Sequence, residues 1–472
     1  MTDTTQETIV VAERHAAPFV TEARELARLA TPLVLTQLAQ MAVMTTDVLL
    51  LGRYSRQALA AAAIGYTVFY FAWLTGGGPA FSVAPIIAQI RGLSPNNRGS
   101  VRAAVRMGLW AVAIVCVPMA PILMSTTAIL TAFHQDPELA ANAGAFVRVV
   151  ALGLPFSLGY RVLSSFATAV GKPRAAMWVM VGTIAFNALA GWILIFGHFG
   201  APRLGIVGSG MATALSSLFS FVAMTASIQA DRKLRDYRVF RRFLRPATDK
   251  LKEVFRLGMP MAATMMFEAM MFNVMTLVMG TFGETPLAAH QIALNFASVT
   301  FMVPLGLGMA ATVRVGLAAG AGDLAGARRA GITAMVIGVA FISLCGVAMA
   351  LGGPQIASLY VGGRAAQDLA VIATAAVFLK VAAAFQVFDA LQVVAAQSLR
   401  GLKDARAPMF IAAASYWLVG APACFALAFG AGLKGLGIWI GLATGLAAAA
   451  VLLTGRFLLL THRRRRQGMG IT

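Results

Sequence analysis

The chain has 472 residues, of which 59% are hydrophobic and only 12% are charged, and its mean hydropathy is +0.78. Soluble domains are roughly 45–50% apolar and 25% charged, so this composition excludes a soluble protein, whose surface needs more charge. The formal net charge of +20 would suit a nucleic-acid partner. The basic runs carry no interleaved aromatic platform, however, and we expect no nucleic-acid binding.

The chain begins with a polar segment, residues 1–25, that lacks the apolar stretch and cleavage site of a signal peptide, so we predict a cytoplasmic tail. The apolar stretches beyond it are long enough to cross a hydrocarbon core of ~30 Å as helices of about 20 residues. The short alternating segments of a membrane β-barrel do not occur. We therefore predict an all-α integral membrane protein with twelve transmembrane helices, at about residues 26–52, 59–90, 103–131, 141–170, 174–197, 203–228, 254–281, 287–317, 329–352, 366–399, 407–430 and 434–461.

Basic residues are distributed unevenly between the two sides of the predicted membrane. About 30 of the 38 Lys and Arg residues lie on the side shared by the N-terminus, the connections that follow even-numbered spans and the C-terminus. By the positive-inside rule, this bias places both termini in the cytoplasm. We expect a multi-pass protein of the cell inner (plasma) membrane, with membrane lipids as partners because exposed basic residues attract anionic lipid.

A basic cytoplasmic linker at 229–253 divides the chain into two lobes of six spans each, 26–228 and 254–461, and a basic tail follows at 462–472. An even number of spans in each lobe means that both lobes enter the membrane from the same side. An internal duplication would therefore be parallel, with a pseudo-two-fold axis and two six-helix bundles around a central cleft. A shift of 228 residues supports it by matching Arg28, Leu29 and Pro32 with Arg256, Leu257 and Pro260.

Three carboxylates, Asp47, Glu268 and Asp389, lie within predicted spans. A charge there costs about 2.5–3.5 kcal/mol on insertion scales, so each is a functional hypothesis by default. Such a group can carry a proton, coordinate Na⁺ or hold a cationic substrate, and competition between these loads is the simplest chemistry of an antiporter. The alternative is structural pairing with the intramembrane cations Arg161 and Lys380.

Intramembrane amides are further candidates for substrate or proton binding. Gln40 lies seven residues before Asp47 and therefore on the same helix face. Asn187 and Gln291 also lie within spans, and the alternative for each amide is a hydrogen bond that joins two helices. A cluster of methionines around Glu268 either forms an adaptable wall for varied ligands or packs the helix.

The chain contains no motif for ATP-driven transport or for common hydrolases. The nearest piece of a phosphate-binding loop, Gly171-Lys172-Pro173, lacks the upstream glycine and the hydroxyl residue, and neither HExxH nor GxSxG occurs. An intramembrane enzyme would have to use Glu268 and Asp389 as its paired catalytic groups. Energy from an ion gradient fits better, so we predict no enzyme activity and no cofactor, with Na⁺ or H⁺ as the coupling ion.

Three segments together resemble the multidrug and toxic compound extrusion (MATE) family, and its NorM-like branch most of all. They are residues 32–40 leading to Asp47, residues 287–295, and residues 385–392 running on to Gly401. The resemblance covers about residues 26–460 and implies two six-helix lobes that face a central cleft. It also implies export of cationic drugs against inward flow of Na⁺ or H⁺.

The resemblance also implies roles for individual residues. Glu268 and Asp389 match the acidic pair of the C-terminal lobe, which resembles a cation site and would supply ligands to Na⁺. Asp47 matches the acid of the N-terminal lobe, and Asn187 resembles the asparagine near it.

Two positions depart from the family pattern. Phe385 stands where relatives commonly carry a tyrosine, and Gly191 stands where a second polar residue usually follows the asparagine. The first departure weakens Na⁺ coordination and the second weakens a complete proton site in the N-terminal lobe. The coupling ion therefore stays open, with Na⁺ favoured by the retained acidic pair.

We expect a monomer that exports small cationic or amphipathic drugs by alternating access. The alternative on the same fold is an exporter or flippase of a lipid-linked or endogenous metabolite.

Overall fold

A computed structural model describes residues 19–361 and 366–467. Most of the predicted N-terminal tail, the four residues 362–365 and the last five residues of the predicted C-terminal tail lie outside these ranges. Within the described ranges the regular structure is entirely helical, and twelve helices are long and apolar enough to cross a membrane. This confirms the predicted fold class and the number of spans.

The twelve helices follow the predicted spans in chain order. They are α1 Phe19–Tyr54, α2 Arg56–Leu93, α3 Arg98–Met124, α4 Pro137–Ala169, α5 Pro173–Phe196, α6 Gly205–Ala230, α7 Thr248–Gly280, α8 Glu284–Gly320, α9 Leu324–Leu351, α10 Ala366–Gly401, α11 Arg406–Gly430 and α12 Lys434–Gln467. A 3₁₀ turn at Ala151–Gly153 interrupts α4. Two π-helical segments, Ala414–Gly420 and Ala426–Gly430, lie within α11.

Two helix boundaries differ from the prediction by seven residues. The third span was predicted to run to residue 131, but α3 ends at Met124 and a separate short helix, Thr126–Ala132, follows it. Pro118 and Pro121 remove backbone donors from the last turns of α3, which weakens the helix there. At the other boundary, α1 begins at Phe19 instead of residue 26.

The early start of α1 has a specific cause in its first turn. Both carboxylate oxygens of the buried Glu22 accept hydrogen bonds from Arg314 of α8, at 2.9 and 2.6 Å. A bidentate guanidinium–carboxylate pair of this kind is among the strong polar contacts. It orders a turn that the polar composition of the segment had assigned to a tail.

The chain separates into two compact units that divide α1 between them. Of the described residues, the C-unit contains those up to Val34, Arg91–Ser94 and those from Thr264 onward, and the N-unit contains Leu35–Ile90 and Pro95–Ala263. Each unit is defined by the contacts among its own residues, whereas the predicted lobes follow the order of the chain. The predicted lobe boundaries therefore stay predictions.

Within the C-unit, α10 packs against both α8 and α12. Its core includes the fully buried aromatic side chains of Phe385, Trp439 and Phe457. The backbones of α11 and α12 also approach each other closely, because a Cβ at Gly441 of α12 would meet the backbone of Cys424 in α11. Small residues at such contacts are a common means of joining membrane helices.

Within the N-unit, α6 packs against α4 and α5. Phe146, Tyr160 and Phe166 of α4 are fully buried there. Gly78 of α2 and Gly258 at the beginning of α7 lie so close that a Cβ on either would meet the backbone of the other. The result is a tightly packed helical scaffold around the polar groups of α1.

Candidate functional site

Glu268 and Asp389 meet inside the C-unit. Glu268 lies in α7, and Asp389 lies in α10 with 7% of its surface exposed. The side-chain nitrogen Nε2 of Gln392 donates to Oε1 of Glu268 and to Oδ1 of Asp389, at 3.3 Å in each case. The structure therefore brings together the two acids that the sequence analysis paired, through a residue that the sequence analysis did not single out.

Two further residues complete this polar cluster. The hydroxyl of Tyr416, in α11, donates to Oε1 of Gln392 at 3.1 Å. The Arg400 side chain is buried, and its positive charge acts electrostatically on Glu268. The tenth span was predicted to end at residue 399, whereas α10 continues to Gly401 and so includes Arg400.

The charges of the cluster do not balance. With all groups ionised, the carboxylates of Glu268 and Asp389 carry two negative charges, and Arg400 supplies one positive charge. One negative charge is therefore in excess, and a monovalent cation or a proton would neutralise it. A small cavity lies beside Glu268, with Phe272, Tyr416 and Leu446 among its lining residues.

The ligand atoms at this site are oxygens. A hard cation such as Na⁺ prefers oxygen ligands. The oxygens available here belong to the two carboxylates, to the side-chain amide of Gln392 and to the hydroxyl of Tyr416. In the part of the chain that the structure describes, no group of three or more His, Cys, Asp and Glu side chains comes together. The position of Phe385 supplies no oxygen, since its ring packs edge-on against Phe272 and Trp439.

Asp47 belongs to a second polar cluster, inside the N-unit. The side chain is 1% exposed. Its Oδ2 atom accepts a hydrogen bond of 2.5 Å from the hydroxyl of Tyr66 in α2 and one of 3.0 Å from the hydroxyl of Thr213 in α6. The two hydroxyls also lie 3.2 Å apart. One carboxylate oxygen is thus held by two donors.

The second oxygen of Asp47 is less constrained. Its Oδ1 atom makes no hydrogen bond among the described residues. Asn187 of α5 is fully buried next to the carboxyl, and its amide contributes to the electrostatic environment of Asp47 without meeting ordinary hydrogen-bond geometry. The expected proximity of Asn187 and Asp47 is therefore seen, and Tyr66 and Thr213 are additional members.

Gln40 shares a helix face with Asp47 but belongs to a different cluster. Its Oε1 atom accepts a hydrogen bond of 2.5 Å from Arg161 of α4, and Gln37 accepts a longer one of 3.4 Å. The guanidinium of Arg161 also lies 5.7 Å from the ring centre of Trp73 and 5.0 Å from that of Phe81.

Arg161 and Lys380, the two cations considered as structural partners, pair with none of the three intramembrane carboxylates. Arg161 is satisfied in part by amides and aromatic rings, as described above. Lys380 is exposed, and its ammonium forms no ion pair within residues 19–361 and 366–467. The three carboxylates therefore do not pair with Arg161 or Lys380, and the cation that acts on Glu268 is Arg400 instead.

Gln291 joins none of these clusters. It is exposed on α8, one turn before Asn295, which accepts a hydrogen bond of 3.1 Å from Tyr360. The methionines around Glu268 divide between the two expected uses, since Met271 and Met275 are buried in the core of the C-unit and Met270 is 41% exposed.

Comparison with known proteins gives a consistent set of matches. The family model described as MatE matches this chain twice, over residues 32–193 and 260–426. The two matches begin 228 residues apart, which equals the shift found within the sequence and supports the internal duplication.

Similar proteins extend over almost the whole chain. A probable multidrug resistance protein NorM of Mesorhizobium japonicum is 44% identical over 93% of this chain and 94% of its own length. A protein of the same name from Rhizobium meliloti is 40% identical over 92% and 93%. The crystal structure of the eukaryotic MATE transporter AtDTX14 matches with a TM-score of 0.82 and 22% identity, covering 96% of this chain and all of that one.

Proposed function

Because the chain belongs to the MATE family and to its NorM-like branch, we propose that it exports cationic amphipathic compounds by antiport against Na⁺ or H⁺. The chain is a multidrug efflux transporter of this family and not an enzyme. The coupling ion, the substrates and the roles of individual residues belong to the proposal.

The observation that carries the proposal is the convergence of Glu268 and Asp389 on one amide nitrogen with Arg400 as the single cation that acts on them, which leaves one negative charge in excess when both acids are ionised. A site of this charge binds one monovalent cation, and the cost of a buried charge falls when that cation arrives. Loading and unloading therefore change the electrostatic state of the C-unit by one charge in each cycle. Alternating access converts that change into transport.

Asp47 provides a separate site for the cationic part of a substrate or for a proton. Its Oδ2 atom is held by Tyr66 and Thr213, and its Oδ1 atom has a free lone pair. A cationic group next to Oδ1 would give this buried acceptor a partner. An unsatisfied buried acceptor costs about 1–3 kcal/mol. We assign the coupling ion to the C-unit and the substrate or a proton to Asp47.

The experiment that tests this assignment is export of an ethidium-like dye by cells that produce Glu268→Gln or Asp389→Asn. Each substitution keeps the shape and much of the hydrogen bonding of the side chain and removes the charge. We expect each variant to reach the membrane and to lose gradient-driven export. Glu284→Gln is the matched control, since Glu284 is exposed in the first turn of α8.

The coupling ion is identified with purified protein. Release of bound dye by Na⁺ at fixed pH supports sodium coupling, and release by protons alone supports proton coupling. Full export by both neutralised variants contradicts the proposed role of the acidic pair. Displacement of bound dye by lipid headgroups but not by drugs would instead favour a lipid exporter or flippase.

We further propose that the protein is a monomer of the inner (plasma) membrane with both termini in the cytoplasm. The orientation rests on the excess of basic residues on one side.

A further inference from the structure

The connection between α6 and α7, residues 231–247, is folded into a short helix and turns and carries seven basic residues. Asp231 caps a short helix, Arg232–Arg235, by accepting hydrogen bonds from the backbone of Lys233 and Leu234. Successive turns follow, in which the backbone nitrogens of Arg238 and Arg241 donate three residues back along the chain. We call this segment the basic connection.

Side chains of α3 hold the basic connection in place. Arg102 Nε donates to the carbonyl oxygen of Tyr237 at 3.0 Å, and Arg106 Nη1 donates to that of Arg242 at 2.8 Å. Trp110 Nε1 donates to the carbonyl oxygen of Phe243 at 3.2 Å. The three donors are spaced four residues apart and therefore lie on one face of α3. They fix the segment along the first turns of that helix.

These contacts also determine the depth of the segment in the membrane. After Arg106, α3 has no charged residue up to its end at Met124, so the apolar part of the span begins near that arginine. Trp110 lies one turn further in, and tryptophan is enriched at the membrane interface. Phe243, which bonds Trp110, therefore lies at the boundary between headgroups and acyl chains.

The segment exposes an apolar pair at that boundary. Phe243 is 37% exposed and Leu244 is 80% exposed. Protein segments that lie in the membrane interface typically combine exposed apolar residues with cations. The apolar residues lie among the acyl chains, and the cations lie at the headgroups.

The cations around this pair have no carboxylate partners among the described residues. The two acids of the segment are already used, because Asp231 pairs with Lys172 at 2.8 Å and Asp236 with Arg98 at 3.6 Å. Seven exposed basic residues remain: Arg232, Lys233, Arg235, Arg238, Arg241, Arg242 and Arg245.

We propose that the basic connection is a binding site for the headgroups of anionic phospholipids. Guanidinium groups bind phosphate oxygens in a bidentate manner, and Phe243 and Leu244 contact the acyl chains below. A nucleic acid would use the same cations but would leave the apolar pair in water. The lipid is therefore the occupant that accounts for both features.

The test measures lipid selectivity with the full-length protein in bilayers, in the absence of drug and ion gradient. Electron paramagnetic resonance of spin-labelled lipids gives the relative association of phosphatidylglycerol and phosphatidylcholine with the protein surface. We expect the wild type to favour phosphatidylglycerol by roughly threefold or more, because several cations act together at the membrane surface. In the variant with Arg235, Arg238, Arg241 and Arg245 changed to Gln, the ratio should fall close to one.

A matched control variant removes the same number of charges elsewhere. Arg24, Arg28, Arg174 and Arg406 are exposed and lie on the same predicted side of the membrane. Their replacement by Gln should leave most of the selectivity in place. Leu244→Asp should lower the association of both lipids, since it removes the apolar contact and keeps every cation.

Two results would overturn the proposal. The first is an unchanged ratio in the variant with four substitutions in the basic connection. The second is an equal loss in the control variant, which would show that the selectivity comes from the total charge and not from this site. Tight binding of a labelled RNA oligonucleotide that the same four substitutions abolish, without lipid selectivity, would identify a nucleic-acid interface instead.

Discussion

Glu268 and Asp389 share a single hydrogen-bond donor, the Nε2 atom of Gln392, at 3.3 Å from each carboxylate. Two carboxylates that converge on one amide have further lone pairs without a donor. Tyr416 fixes the orientation of that amide by donating to its oxygen. The site therefore has a defined geometry before any cation arrives, which lowers the cost of organising the ligands during binding.

Replacement of Gln392 by Leu tests the importance of this shared donor. The two carboxylates would lose their common partner and one neutral oxygen, so we expect the apparent affinity for the coupling ion to fall about tenfold, the equivalent of ~1.4 kcal/mol. The measurement is the Na⁺ or proton concentration that releases half of the bound dye. Gln291→Leu is the control, because Gln291 is exposed and joins no cluster; equal effects of both changes would contradict a specific role for Gln392.

Arg400→Gln should make stability depend more strongly on the coupling cation. The guanidinium compensates one of the two carboxylates, Glu268 and the buried Asp389, and its removal leaves a carboxylate charge in the protein interior uncompensated, which is destabilising. A bound cation replaces the lost positive charge. We expect a lower Tm than in the wild type without Na⁺, and a larger rise in Tm on addition of Na⁺. A Tm that is lowered equally with and without Na⁺ would show that Arg400 acts only in packing.

Tyr66→Phe and Thr213→Val test the hydrogen bonds to Asp47. Each removes one donor to Oδ2, and a hydrogen bond to a charged group contributes about 1.5–3 kcal/mol. We expect each variant to lose affinity for a cationic dye by roughly tenfold or more, and the double variant to lose less than the product of the two effects, because the hydroxyls are also in contact with each other. Dye-binding titrations of purified protein provide the values, and an unchanged affinity in both single variants would separate Asp47 from substrate binding.

The sequence predicted the helices and the acids better than it predicted the partners of the acids. Length and hydropathy decide whether a segment spans a membrane, and an acid in such a segment is conspicuous. Gln392 lies three residues after Asp389 and so on the same face of α10, which was an available clue. Thr213 lies in a pair of residues, Ala212-Thr213, that recurs in the second half of the chain as Ala443-Thr444.

Other members of the two clusters gave no such clue. Tyr66 and Tyr416 come from helices whose rotation about their own axes depends on tertiary packing, which spacing along one helix does not determine. Gln40 is a further case in which spacing along one helix did not identify the partner of a side chain. It does share a face with Asp47, but a seven-residue interval is about 10.5 Å along a helix, and at that height Arg161 is its neighbour.

The ion pair between Lys172 and Asp231 predicts a pH dependence of stability outside the membrane. The hydrogen bond from Lys172 lowers the pKa of Asp231 below its usual value of 3.8. A carboxyl with a lowered pKa stabilises the folded state fully above the pKa of the unfolded chain and loses that contribution as the pH falls through the folded pKa. The difference in Tm between the wild type and Asp231→Asn should therefore be constant from pH 8 to pH 5 and should shrink only below about pH 3.8.

The pair of Lys172 and Asp231 is partly exposed, so the difference in Tm should be small and should decrease in high salt. A difference that changes between pH 8 and pH 6 would mean that another group titrates with it.

Reporter fusions test the orientation that underlies the assignment of sides. Gly353 begins a short helix after α9, and Arg241 lies in the basic connection after α6. With both termini in the cytoplasm, a reporter at Gly353 follows an odd number of spans and should be external, and a reporter at Arg241 follows an even number and should be cytoplasmic. The physical reason is that Lys and Arg are retained on the cytoplasmic side during insertion. Alkaline phosphatase activity at Gly353 and green fluorescence at Arg241 are the expected pair of results, with the reciprocal fusions inactive at each position. The opposite pair would reverse the membrane sides of Asp47 and of the basic connection, and anionic lipid of the cytoplasmic leaflet would then be out of reach of Arg241.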